Sequence, residues 1–239
     1  MGGAATDNDH IIEATNVVKT YNTGKITVNA LRGVNFSVER SDMLAIMGPS
    51  GCGKTTLLNC LSGLDTINDG QILIAGTDLA VLPENARTEY RAHNMGFVFQ
   101  FYNLLPVLSA VENVELPLLV SGVKTKEARE RSMAILNRVG LEKWAHHKPA
   151  ELSGGQRQRV TIARALVNEP AIVWADEPTG DLDSETADDI MNLMIELNRN
   201  QKQTFVIVTH DSRIGAMTNR IIRMKDGLIE STEATGYGG

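Results

Sequence analysis

The chain has 239 residues, 42% of them hydrophobic and 22% charged, with a formal net charge of −6. That length buries a substantial core, as one large domain or two small ones. The acidic balance excludes a global field that would attract nucleic acid or anionic lipid, so phosphate groups must be held by local donors. Cys52 and Cys60 are too few for a disulfide framework and suit a reducing compartment. No apolar run reaches the roughly eighteen residues of a membrane span, and no secretory signal opens the chain.

Residues 1–9 are expected to be a flexible tail. Met1-Gly2-Gly3-Ala4-Ala5-Thr6 fits a short myristoylation pattern, but that pattern is weak and a loose tail is the plainer reading. Alternating apolar and polar residues at 11–14, 28–31 and 34–38 predict antiparallel strands. The apolar run 43–47 reads as a buried strand. Gly48-Pro49-Ser50-Gly51-Cys52-Gly53-Lys54-Thr55 follows it and matches G-x-x-x-x-G-K-[ST] residue for residue. This pattern cradles phosphate. Its glycines let backbone N–H groups turn inward, Lys54 offers a cation to the β- and γ-phosphates, and the Thr55 hydroxyl is a Mg²⁺ ligand. The helix expected from Thr56 onward points its positive end at the same place. A further strand is expected at 71–76, stopped by Gly76.

From about 109 to 139 a helical stretch dominates, broken by Pro117 and by the Ser121-Gly122 turn. Then follow a helix at 156–167, a strand at 171–175, a helix at 185–198, a strand at 204–209, strands near 220–224 and 228–230, and a loose tail over 231–239. Strand–helix alternation with a helical block inside it implies an α/β core with a mainly parallel sheet. The core takes 10–100 and 156–230, with an N-terminal antiparallel β subdomain, and a helical subdomain is inserted at 101–155.

The strand at 171–175 runs into Asp176-Glu177. In an open α/β sheet, ligands sit at the carboxyl ends of strands. Asp176 is expected to reach Mg²⁺ through a water, and Glu177 to polarise a water facing the γ-phosphate. Leu152-Ser153-Gly154-Gly155-Gln156 opens the 156–167 helix, and its two glycines expose N–H groups at a second anion site. Two phosphate binders so far apart in sequence suggest that they serve different nucleotides.

With this peptide added, the chain resembles the ATP-binding cassette (ABC) transporter ATPases along nearly its whole length. The resemblance implies a P-loop NTPase (RecA-like) core. It also implies a head-to-tail dimer that sandwiches each ATP between the phosphate loop of one subunit and the Ser153–Gln156 peptide of the other. The implied nucleotide contacts are Tyr21 stacking on adenine, the loop residues 48–55 with Thr56, and Ser153, Gly154, Gly155 and Gln156. Thr55, Gln100 and Asp176 are the implied Mg²⁺ group. Glu177, His210, Gln100 and Lys54 carry the chemistry, and Asp183 lies in the loop that contacts the second subunit. Departures from the family are few: Arg40-Ser41-Asp42 before the phosphate-loop strand, Arg157 after the signature peptide, and Asp181 in the contact loop, where it would alter subunit electrostatics.

Gly96 to Pro106, Glu112 to Pro117 and Ala175 to Gly180 resemble the lipoprotein-release and macrolide-efflux (LolD/MacB) type of cassette. This implies ATP hydrolysis coupled to export, extraction or mechanotransmission. The implied partners are membrane subunits with large extracytoplasmic domains, engaged near 101–106. It also implies a prokaryotic source, a place at the cytoplasmic face of the membrane, and no nucleic-acid partner. A cell-division-type cassette that gates a signal without transport is the alternative.

Overall fold

The computed structural model describes residues 10–22, 24 and 26–236. The expected N-terminal tail with its myristoylation pattern, and residues 237–239, lie outside them. In chain order the strands are β1 (His10–Asn22), β2 (Thr27–Glu39), β3 (Met43–Met47), β4 (Asp69–Ile74), β5 (Thr77–Asp78), β6 (Met95–Phe99), β7 (Ile172–Asp176), β8 (Thr204–Val208), β9 (Arg220–Lys225) and β10 (Leu228–Ala234). The helices are α1 (Lys54–Leu61), α2 (Glu84–Asn94), α3 (Ala110–Val120), α4 (Thr125–Arg138), α5 (Gly154–Leu166), α6 (Ser184–Gln201) and α7 (Ser212–Ala216).

Strands apolar on both faces belong inside a covered parallel sheet. Accordingly β9, β3, β8, β7 and β6 pair in parallel in that order, and β10 closes the β9 edge antiparallel. Side chains alternate across this sheet with period two. Leu44, Ile46, Trp174, Val206 and Val208 enter one core with α1 and the antiparallel sheet β2-β1-β4-β5. Val173, Ala175, Phe205 and Ile207 enter a second core with α5 and α6. The inserted α3 and α4 bury Val111, Val114, Leu118, Ala128 and Leu136 in this second core, so its apolar packing continues from sheet to helical block.

Several details differ from the sequence expectation. The two short strands at 28–31 and 34–38 are one strand, β2. Gly33, with φ 87°, sits at the irregularity opposite Val17 and Val18, where a Cβ would meet the Asn16 side chain, instead of ending a strand. Pro117 does not break its helix. A proline removes one backbone bond, but α3 is capped by the reciprocal Ser109/Glu112 box and anchored by four fully buried apolar side chains, and it ends only at Ser121-Gly122. The C-terminal strand continues through Ala234, beyond the boundary expected at 230, because it pairs with β9 back to Arg220. Helices α2 and α7 were not expected. Among the described residues, no helix is long and apolar enough to cross a membrane.

The segment between β6 and α3 is held by one fully buried side chain. The Nδ2 of Asn113 donates to the carbonyls of Leu105, Leu108 and Ser109 at 2.9–3.1 Å, and its Oδ1 accepts from the Leu105 N–H at 2.7 Å. Asn113→Ala strips partners from four backbone groups, three of them partly buried and the Ser109 carbonyl buried. It should cost roughly 2–4 kcal/mol, a fall of about 5–15 °C in the thermal midpoint. Calorimetry is the check, and a fall under about 1 °C would mean the loop holds itself.

Candidate functional site

Between β3 and α1 the chain must turn sharply under the end of the sheet, and glycine makes this possible. Gly48, Gly51 and Gly53 have φ of 153°, 79° and 104°. The first and last are needed for packing. A Cβ on Gly48 would stand 2.2 Å from the Met224 carbonyl oxygen, and one on Gly53 would stand 2.5 Å from that of Ala30. Gly51 differs, since a Cβ there would meet nothing within 4 Å. Its bare backbone borders a cleft of about 1030 Å³. No side chain caps the N-terminus of α1, which leaves its first N–H groups to a ligand. Lys54 is largely buried, and its Nζ donates to the Gly48 and Pro49 carbonyls at 2.8 and 3.0 Å. An ammonium has three donors, so one is left for a phosphate oxygen. The Cys52 thiol is buried, so this residue serves through its backbone.

The carboxylates come from the end of β7. Glu177 adopts φ 47°, a conformation that costs a side-chain-bearing residue about 1–2 kcal/mol. Its N–H bonds the Val208 carbonyl at 2.9 Å, so the turn starts while the chain is still tied to β8. Both side-chain oxygens are engaged: Oε1 lies 2.8 Å from His210 Nδ1, and Oε2 accepts from Thr209 Oγ1 at 3.2 Å. An ionised carboxylate only accepts, so this contact puts the imidazole proton on Nδ1. Asp176 stands beside Thr55, with Oγ1 to Oδ1 at 3.5 Å. Burial, and then the neighbouring Glu177 charge, push its carboxyl above the usual range against the pull of Thr55 and Lys54.

No cluster of three or more His, Cys, Asp or Glu able to hold a metal occurs among the described residues. The Thr55–Asp176 pair nevertheless fits Mg²⁺. That ion needs only one or two protein oxygens when waters and phosphate oxygens complete its shell.

The cleft wall brings together Tyr21, Ser50, Thr55, Thr56, Glu177 and His210. Gln100 and Asp176 are not on that wall. Gln100 follows β6 and lies against Gly180, where a Cβ would be 3.1 Å from its Nε2. Ser153, Gly154, Gly155 and Gln156 are also absent from the wall. They form the capped start of α5: the Ser153 hydroxyl accepts from the Gln156 N–H, and the Gln156 side chain accepts from the Ser153 N–H. Asp183 caps α6 through the Thr186 N–H at 3.0 Å. Sequence reasoning missed Thr209, although a hydroxyl just beyond an apolar strand at the sheet's carboxyl edge was a usable signal. It also missed the wall supplied by Val28, Ala30 and Arg32 of β2.

A profile of the ABC transporter family matches residues 31–180. The lipoprotein-releasing system ATP-binding protein LolD of Saccharophagus degradans is 47% identical over 219 residues, covering 92% of this chain and 96% of that protein. Among solved structures, a dimeric post-hydrolysis state of the ATP-binding cassette MJ0796 bound to ADP and Pi superposes with a TM-score of 0.85. It is 43% identical and covers 94% of this chain and 98% of that one. CbiO1 of Clostridium perfringens, part of the ABC transporter complex cbiONQ, gives 0.85 at 30% identity, covering 95% and 89%.

The glycines separate by role. Gly48→Ala drives a Cβ into a backbone carbonyl and should cost more than about 3 kcal/mol, whereas Gly51→Ala meets only its φ and should cost about 1 kcal/mol. Equal losses in urea denaturation would contradict this.

Proposed function

The chain belongs to the ABC transporter family, as an ATP-hydrolysing nucleotide-binding subunit, and from that premise we propose that it powers release or extraction of a lipoprotein-class substrate through separate membrane subunits. The observation that carries the reading is the division of the site. One chain has a phosphate loop in its cleft and a second glycine-rich helix start away from it. Each is half of an ATP site, and a second copy placed head-to-tail would complete both halves. Relatives described as dimeric cassettes support this arrangement. The likeness to a lipoprotein-releasing ATP-binding protein supports the substrate class and favours transport over signal gating.

In this reading the N–H groups of residues 48–56 and the Lys54 ammonium bind the phosphates, and Tyr21 stacks on the base. Thr55, Gln100 and Asp176, the last through a water, would hold Mg²⁺. When bound, the ion supplies charge neutralisation at the phosphates. Glu177 polarises the attacking water. Thr209 and His210 fix its carboxylate, so little reorientation is needed at the moment of reaction. Ser153, Gly154, Gly155 and Gln156 meet the γ-phosphate of the nucleotide on the partner subunit, and Asp183 lies in the contact loop. Gln100 reports the γ-phosphate to the helical block. ATP binding closes the two cassettes and hydrolysis parts them. The motion leaves through Phe101, Leu105 and Val107, apolar residues that stand exposed beside the helical block. In this reading the protein works at the cytoplasmic face of a membrane, against permease subunits, and the likeness to a lipoprotein-releasing ATP-binding protein supports it.

Glu177→Gln should lower ATP turnover by about 10²- to 10⁴-fold and accumulate an ATP-bound dimer on size exclusion. Turnover at the parental rate would remove Glu177 as the base. Lys54→Ala should abolish nucleotide binding in a filter assay, and undiminished affinity would sink the cradle. Glu177→Gln with ATP, used as bait on solubilised native membranes, should recover a permease with a large outer domain. Recovery of division proteins would instead support signal gating.

A further inference from the structure

Tyr21 stands on the rim of the cleft and is 37% exposed, yet its ring is not loose. Its hydroxyl donates to Asp65 Oδ2 at 2.7 Å. The other oxygen of that carboxylate receives Lys19 Nζ at 2.6 Å and the Thr66 N–H at 2.7 Å. Lys19 is 7% exposed, gives a second bond to the Thr66 carbonyl at 2.6 Å, and sits 4.9 Å from the centre of the Tyr21 ring. A buried ammonium must be paired, so Lys19 and Asp65 hold each other in place. Asp65 is fixed from the backbone too, because its N–H and that of Leu64 both bond the Asn59 carbonyl near the end of α1.

We infer that Asp65, locked by Lys19, is a positioning residue that holds the Tyr21 ring ready for the nucleotide base. The inference rests on the reading of the cleft as an ATP site. It adds the device that sets the distance between base and phosphates. Helix α1 begins at Lys54 in the phosphate loop and ends just before the turn that presents Asp65. One rigid helix, about 12 Å long at 1.5 Å per residue, thereby ties the phosphate donors at one end to the base platform at the other. The Asp65 carboxylate keeps its charge for this task. Burial alone would raise it, but the bonds from Lys19 and Tyr21 outweigh burial and hold it below the usual range. The Tyr21 hydroxyl is pushed upward, first by burial and then by Asp65, so it stays protonated as the donor. The Lys19 ammonium offsets the Asp65 carboxylate, so the three side chains together present no net charge to the base and the platform works by stacking.

The test separates base from phosphate. Tyr21→Phe and Asp65→Asn should each raise the KM for ATP about three- to tenfold, the range one immobilised side chain contributes to binding, with kcat within about twofold. The double variant should be no worse than the worse single, because both remove one tether. Inhibition by inorganic tripolyphosphate, which has no base, should be unchanged in all three. Additive KM effects, a parallel loss of tripolyphosphate inhibition, or parental KM in Tyr21→Phe would overturn the inference. Asp65→Asn leaves Lys19 without its counter-ion, so Tyr21→Phe, which loses only a hydroxyl, keeps the test open if the first variant does not fold. Tyr21→Ala distinguishes the two levels. A raised KM there with parental KM in Tyr21→Phe removes the tether and keeps the stacking ring. Parental KM in Tyr21→Ala removes both, while Lys54→Ala still reports whether ATP uses this cleft.

Discussion

The site depends on one row of backbone pairing across the parallel sheet. Ile46 of β3 is in register with Val208 of β8, Val208 with Asp176 of β7, and Asp176 with Phe99 of β6. Five of the residues assigned to nucleotide chemistry lie within two positions of that row: Gly48, where the phosphate loop begins, beyond Ile46, Thr209 and His210 beyond Val208, Glu177 beyond Asp176, and Gln100 beyond Phe99. The ladder continues one step past the row, with the Thr209 N–H on the Ile46 carbonyl at 3.1 Å and the Glu177 N–H on the Val208 carbonyl at 2.9 Å. Four segments distant in sequence therefore arrive at one edge with little freedom. Side chains alternate faces along a strand, so a slip of one residue would turn Glu177 away from His210. The fully apolar faces above and below the row make such a slip costly. Catalytic geometry here is a consequence of core packing.

What could be read from sequence follows the same physics. β3, β7 and β8 carry apolar runs at 43–47, 172–175 and 205–208 that end at Gly48, Asp176-Glu177 and Thr209-His210, so strand and motif were visible together. Other elements carried weaker signals. Helix α2 has no buried residue and a charged sequence, so it shows neither an apolar stripe nor a strong stop. Pro117 pointed to a break because a proline is a local cue, whereas the burial of Val114 and Leu118 against α5 is a tertiary one. The Ala234 end of β10 was hidden because its polar, exposed residues carry no periodicity, and only pairing with β9 defines them. In the site, Tyr21 was visible as an aromatic in place, but its support was not. Asp65 is 44 residues away and Lys19 reads as an ordinary exposed strand lysine until the fold closes over it.

Of the departures from the family pattern, Arg157 and Asp181 have different surroundings. The Arg157 guanidinium donates to the Leu152 carbonyl at 2.9 Å and lies 5.0 Å from the centre of the Tyr102 ring, so it braces the start of α5 from within the chain. Asp181 is exposed in the loop beside the Asp183 cap. Arg157 therefore bears on the shape of the peptide that opens α5, and Asp181 on the charge of the exposed loop that the proposed dimer would use as its contact.

The helix starts show how anion binding is kept available. Negative charge near a helix N-terminus is stabilising, typically by 0.3–1 kcal/mol. Helices α2, α3, α4 and α6 carry Glu84, Glu112, Glu127 and Glu185 in their first turns, and Asp211 caps α7. Helices α1 and α5 have no acidic residue in the first turn, and their caps are uncharged Gly53 and Ser153. These are the two helices whose starts the sequence assigns to phosphate. A carboxylate at either would satisfy the positive end from within and repel the ligand through the same field. Leaving both without one forgoes a small amount of folding stability. It also leaves two positive helix ends on one chain, only one of which faces the chain's own cleft. In the proposed head-to-tail dimer the other would meet phosphate across the subunit boundary, so nucleotide and partner would be bound together.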